Sequence, residues 1–268
     1  MREALTDWPV PFAHPMYGWY HILWLSIAVA ASVAAALLAR KKRSEGGQDR
    51  ACDKTVLIFG ILLLALEIYK QIFCLRVNHP YNWNDFPFQF CSTPMFLMIP
   101  AALLRPGRVK EALYKFLAFY GCLAGVSVMF YPTVISEAVY LTMIVHTMIW
   151  HVSMIVVGVY VIAAKGYGKN LRKELLPGMA VLGSLIVLAT ALNFLLPRLL
   201  TGDPWINFFY ISYAHGSSLP ILHDIYRPGQ GIFKWALLLV SYFLAFSLGA
   251  ALIFLAAKVS GRRKRERA

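Results

Sequence analysis

Seven stretches of nearly unbroken apolar residues decide what this chain can fold into. They run at about 19–39, 55–76, 87–104, 112–130, 134–164, 175–196 and 233–257. A helix rises about 1.5 Å per residue and a bilayer core is about 30 Å thick, so roughly 20 apolar residues make one crossing. The third stretch is short and carries Pro94 and Pro100, which predicts a kink. The fifth is long enough to cross at a tilt. Of the 268 residues, 59% are hydrophobic and only 15% are charged. Soluble domains run at about 45–50% and about 25%, so a water-soluble fold is excluded. The sequence predicts an all-α, polytopic membrane protein, a seven-transmembrane-helix bundle forming a single domain over 1–268. It contains no evident internal repeat. Pro9, Pro11, His14 and Pro15, rather than a basic segment, precede the first stretch, so no cleavable signal peptide is expected.

The few charges are unevenly placed. Lys and Arg number 26 against 13 Asp and Glu. Twenty of the 26 lie in segments 40–54, 105–115 and 165–174 and in the tail 258–268. Those segments all fall on one side of an alternating topology, and cytoplasmic loops carry the Lys/Arg excess. The expected orientation is N-terminus outside and C-terminus cytoplasmic. A net charge of +13 would suit a nucleic-acid binder if it formed one folded face. Spread over membrane loops it marks topology, so no nucleic-acid partner is expected. The basic tail 258–268 is expected to meet anionic membrane lipids.

The polar residues inside the apolar stretches then carry the interest. Intramembrane polar groups are costly and face a cavity or a partner. Glu67, Lys70 and Gln71 are spaced i, i+3, i+4 and share one helix face. They can form an internal ion pair that fixes packing, or line a cavity that takes a polar headgroup. Gln89 and Cys91 begin the third stretch, His146 and His151 lie on the fifth, and Asn193 ends the sixth. By residue counting most of these sit toward the outer half, which predicts a cavity opening outward. All seven His, including His14, His21, His79, His215 and His223, lie on that side or near the midplane. His146 and His151 are five residues apart and point about 140° apart on a helix. Cys52, Cys74, Cys91 and Cys122 have no metal-ligand spacing and do not read as a disulfide frame. Cys91 stands out because Pro87 and Pro94 flank it, with Asp85 and Gln89 nearby. A thiol becomes a useful nucleophile when a His can take its proton. The long segment 197–231 is rich in aromatics (Trp205, Phe208, Phe209, Tyr210, Tyr213) and is expected to lie in the membrane interface.

The motif Pro87-Phe88-Gln89-Phe90-Cys91-Ser92 resembles the YwaF-like bacterial membrane proteins and the transmembrane protein 164 family. In that group a His is followed nine positions later by a Tyr, and here His151 precedes Tyr160. The Asn193-Phe194-Leu195-Leu196-Pro197 run at the end of the sixth stretch is a third shared feature. The resemblance spreads over about 55–257. It implies an acyltransferase or acyl-ester hydrolase in a bacterial plasma membrane, acting on phospholipid or fatty-acyl lipid with no cofactor. It also implies Cys91 as nucleophile through a thioester, with His151 as base. The related androgen-dependent tissue factor pathway inhibitor regulating proteins cleave fatty acid esters with Thr and His. Thr190 and Asn193 stand apart here, separated by Ala191 and Leu192, a departure from a conventional Thr-Asn pairing.

Gln89 and Asn193 are then candidate oxyanion donors, and Glu67, Lys70 and Gln71 candidate headgroup ligands. Straight helices place Cys91, His146 and His151 roughly 6, 15 and 22 Å deep, which favours His146 as base unless the Pro87–Pro94 stretch lowers Cys91. Other classes compete. A transporter or channel would use Glu67, Lys70 and the two His, but polar residues thin toward the cytoplasmic half and no inverted repeat is seen. A non-catalytic ligand-binding protein also fits seven spans. A metal hydrolase built on His215, His223 and Asp224 fails on spacing, so no metal is expected. Gly216-Ser217-Ser218 does not complete a serine-hydrolase elbow.

Overall fold

The computed structural model describes residues 8–77, 81–131, 139–200 and 204–265, without the side chains of Gln48, Asn84 and 262–265. His79, positions 134–138 of the fifth apolar stretch and the last three residues of the tail lie outside the described residues. Among the described residues the chain is helical and holds no β-strand. The helices are α1 (Trp19–Ser44), α2 (Gln48–Val77), α3 (Thr93–Leu103), α4 (Arg108–Phe130), α5 (Leu141–Lys165), α6 (Leu171–Leu199) and α7 (Ile232–Arg265). Six of them are long and apolar enough to cross a membrane.

α3 is the exception: of the expected span over 87–104, only Thr93–Leu103 is α-helical. It has 11 residues, about 16 Å by helical rise, or half a bilayer core. Pro94 stands in its first turn, where a missing N–H costs nothing. Residues 86–92 before it are non-helical. The segment nevertheless runs beside α2 between Gln71 and Asp53. At one end Gln71 Nε2 donates to the Asp85 carbonyl at 2.7 Å. At the other, Lys110 Nζ donates to the carbonyls of Ala102 and Leu104 and to Asp53 near the start of α2. Gln71 and Asp53 are about 27 Å apart along the helix axis.

α5 begins at Leu141, later than the expected start at 134, with Tyr140 before it in extended backbone, and the remaining five helices overrun the apolar limits read from sequence. α1 continues through Lys41, Lys42 and Arg43 in its last turn. Nothing stops a helix where the lipid ends, and basic residues suit the negative end of the helix dipole. The result is a basic end, where 40–54, 105–115 and 165–174 cluster, and an opposite end, where Gln71, Asp85 and Asn193 lie.

α5 is the central column. Of its most apolar window 72% is buried, against 17% for α1, so α5 faces protein on nearly every side while α1 is peripheral. α1, α2 and α4 pack around it. α4 contains a π-helical turn at Phe116–Gly121 whose six residues are all buried. The close approach of α4 to α5 depends on missing side chains. A Cβ on Gly125 would stand 2.5 Å from the His151 carbonyl oxygen, and one on Gly158 would stand 2.5 Å from Cys122 Cβ. Neither neighbour can swing away. Gly125→Ala is therefore expected to destabilise the fold by about 1–3 kcal/mol. The readout is a lowered thermal midpoint in detergent, with Gly47→Ala, where a Cβ meets nothing within 4 Å, left unchanged.

Candidate functional site

The polar residues gather at the end opposite the basic loops. On α2, Glu67 Oε1 accepts from Lys70 Nζ at 2.9 Å and from Gln71 Nε2 at 2.7 Å. Gln71 also reaches the Asp85 carbonyl, and its Oε1 accepts from the Tyr81 hydroxyl at 2.6 Å. The shared face predicted from i, i+3, i+4 spacing is thus an ion pair plus a strap that ties residues 81–85 to α2.

Segment 86–92 descends from that strap. The Gln89 carbonyl accepts from the N–H of Ser92 and of Thr93, a turn that starts α3. Cys91 lies in this turn, half-buried, and its thiol is not in a disulfide. Its carbonyl accepts from Trp150 Nε1 at 3.0 Å. This contact ties the Cys91 backbone to α5 through the Trp150 side chain. Because residues 86–92 are non-helical, straight-helix counting does not give the depth of Cys91.

The two imidazoles flank Trp150. His146 stacks on the Trp150 ring, with centroids 5.5 Å apart and planes at 25°, and has the Leu66 carbonyl as partner. His151 pairs through Nδ1 with the Thr147 carbonyl at 2.7 Å. In both rings Nε2 is buried with no hydrogen-bond partner. A ring whose Nδ1–H is held by a carbonyl carries its lone pair on Nε2, so both present an unused base. Among the described residues, neither Nε2 is hydrogen-bonded to the Cys91 sulfur.

Gln89 and Asn193 have a different neighbour from the one sequence reasoning gave them. Asn193 Nδ2 donates to the Phe208 carbonyl at 3.0 Å, and the Phe208 N–H donates back to Asn193 Oδ1 at 2.8 Å. Gln89 Nε2 donates to the Asn207 carbonyl at 3.1 Å, and the Phe209 N–H donates to Gln89 Oε1 at 2.8 Å. Each carboxamide grips loop backbone as a neighbouring strand would. Asn207 extends the grip, donating to the Gly216 carbonyl and accepting from the Ser212 N–H.

The gripped loop is the aromatic segment expected at the interface. Trp205 is exposed as expected, but Ile206, Phe208, Phe209 and Ile211 have no exposed surface. The physical reason is a run of rings that covers it. Phe209 stacks between Phe88, at 5.7 Å, and Tyr242, at 6.0 Å, and Phe90 and Phe246 meet at 4.3 Å. Phe209 and Tyr210 adopt φ of 60° and 54°. Non-glycine residues pay about 1–3 kcal/mol for such backbone, and it persists only where surroundings enforce it. Here the Gln89 and Asn193 clamps do so. Trp150, Asn207 and this pair of left-handed aromatics were not singled out for these roles in the sequence. The visible signal was an unusual density of rings beside Asn207.

Two cavities lie at the basic end. One of about 1220 Å³ is lined by Asp53, Lys110, Glu111, Lys165 and Tyr167 among others, and a second of about 850 Å³ lies between α1, α4, α5 and α7. In the first, burial beside Glu111 holds the Tyr167 hydroxyl, which donates to that carboxylate, above its ordinary pKa.

These features define an integral membrane helical bundle with a thiol, two unused imidazoles and an ion pair beneath an aromatic plug. The TMEM164 family model matches residues 16–259, nearly the whole chain, and the protein belongs to that family. No curated protein and no solved structure matches it.

Proposed function

We propose that this protein is a membrane lipid acyltransferase or acyl-ester hydrolase with Cys91 as nucleophile. In the same reading the chain crosses the membrane seven times, the segment 86–103 making the broken third crossing. The basic end is cytoplasmic, so the site faces the outer half. The observation that supports the chemistry most is the hydrogen bond from Trp150 to the Cys91 carbonyl, on a helix that also carries two imidazoles whose Nε2 atoms are buried without partners. Family membership supports the lipid substrate class, and the half-broken third span supports a site within the bilayer.

The balanced sequence is short. His151 Nε2 takes the Cys91 proton, and the thiolate attacks the ester carbonyl of a lipid acyl chain. The C–O bond breaks, and the leaving alcohol takes the proton from the imidazolium. A thioester on Cys91 remains. An acceptor hydroxyl or water then gives its proton to the imidazole and attacks the thioester, and the sulfur leaves and regains a proton. Gln89 stands two residues before Cys91 and has one amide hydrogen beyond its loop contact. We assign that hydrogen to the oxyanion. Asn193 serves the site by holding the loop over it. Lys70, steered by Glu67 and Gln71, holds the headgroup phosphate. His146 is the second candidate for the base.

Purified protein supplied with a labelled phospholipid acyl donor tests this. Wild type is expected to transfer or release the label and to show a hydroxylamine-sensitive acyl adduct by intact mass. Cys91→Ala should do neither. His151→Ala should lower the rate by about 10²–10⁴-fold, with His146→Ala much milder. Full transfer by Cys91→Ala would refute the thioester. The reverse order for the two His variants would move the base to His146.

A further inference from the structure

The slot at the basic end between α1, α4, α5 and α7 has a lining that sorts by charge. Its volume is about 850 Å³, within the usual range for a small-molecule site. Four cationic residues line it, Arg40, Arg43, Lys169 and Lys258, and no acidic residue does. Among the described residues none of the four has a carboxylate partner. The larger cavity nearby is different. Its Lys110 and Lys165 are neutralised by Asp53, Asp49 and Glu111. Two carboxylates stand close to the slot in sequence: Glu45, which pairs with Lys42 at 3.0 Å, and Glu174, whose oxygens accept the N–H groups of Gly168, Lys169 and Asn170. The Glu174 carboxylate is bound to the backbone and fixes the turn that carries Lys169.

Below the cationic mouth the walls are apolar, including Val33, Ala36, Val126, Ile155, Val159 and Ile253. Arg43 at the mouth and Ser32 at depth are 11 residues apart on α1, about 16 Å by helical rise. The Ser32 hydroxyl is buried with no partner. The mouth is also built. Gly166 ends α5 at φ 66°, and the Arg43 guanidinium occupies the space its missing side chain leaves. A Cβ there would collide with Arg43.

We propose that this slot binds an anionic phospholipid, with the phosphate on Arg40, Arg43, Lys169 and Lys258 and one acyl chain between α1 and α7. A cationic rim with no acid over an apolar shaft matches a lipid that has a charged head and a long tail, and neither half alone would use the whole slot. The site lies at the end of the bundle remote from Cys91 and does not depend on acyl-transfer chemistry.

Native mass spectrometry of the purified protein in neutral detergent reads this directly. The probes are phosphatidylglycerol, phosphatidylcholine of the same chains, and glycerol phosphate. Wild type is expected to retain phosphatidylglycerol in preference to phosphatidylcholine, and glycerol phosphate should not displace it. The triple variant Arg40→Gln/Arg43→Gln/Lys258→Gln should bind phosphatidylglycerol about a hundredfold more weakly. Ala36→Trp, which leaves every charge in place and fills the shaft, should also lose it. This second variant decides the matter if the triple does not fold. Wild-type retention by either folded variant overturns the proposal, as does equal retention of phosphatidylcholine or displacement by glycerol phosphate.

Discussion

Replacing Asn193 by Leu is expected to destabilise the protein by about 2–6 kcal/mol, since each buried polar group left unpaired costs about 1–3 kcal/mol. The volume changes little. What is lost is a donor to the Phe208 carbonyl and an acceptor for the Phe208 N–H, both in a loop with no exposed surface at that residue. Gln89→Leu removes the equivalent pair at Asn207 and Phe209 and should cost a similar amount. The two effects should not add. Together they hold three consecutive residues, Asn193 gripping Phe208 and Gln89 gripping Asn207 and Phe209, so once one clamp is gone the left-handed turn at Phe209 and Tyr210 can relax and the second clamp has less to hold. Thermal or denaturant unfolding in detergent of both single variants and the double measures this. Additive losses would mean that the clamps act independently and that the turn is not under strain. Asn193→Asp separates the two halves of the clamp, because it keeps the acceptor and removes the donor.

The clamps also mark where sequence reasoning loses contact with the structure. Span positions were legible because apolar length is a local property, and five of the expected spans differ from the helices mainly in stopping where the charges begin. The Glu67, Lys70 and Gln71 face was legible because helical spacing dictates it. The third span was not, because Pro94 can kink a long helix or start a short one, and only contacts with Gln71, Lys110 and Trp150 choose between them. Gln89 and Asn193 could be recognised as intramembrane amides, but the adjacent loop residues they grip, Asn207 and Phe208, lie 118 and 15 residues away along the chain. No local pattern announces such a pairing. The loop they hold breaks local preference as well, since a left-handed Phe209 followed by a left-handed Tyr210 is backbone that glycine or asparagine normally supplies. Propensity puts these aromatic rings at the interface, and the packing of Phe88, Phe209 and Tyr242 overrides it.

Lys70→Met is expected to have the other large effect, a loss of about 3–5 kcal/mol, because it strands a buried carboxylate. Glu67 is only 5% exposed, and its side chain is held by Lys70 and Gln71 together. With the ammonium gone, Gln71 must satisfy the carboxylate while it also carries the Asp85 and Tyr81 contacts that strap segment 81–85 to α2. Glu67→Gln/Lys70→Met removes both charges, and its stability should return to within about 1–2 kcal/mol of wild type. Unfolding of the two variants measures that recovery, and it makes a cleaner functional comparison possible. A double variant that is stable but no longer accepts a phospholipid donor, while still turning over an uncharged fatty acyl ester, assigns Lys70 to the phosphate. A stable double variant that uses both donors like wild type would leave the ion pair as the fastening between α2 and the strap, and the headgroup would have to be read elsewhere in the site.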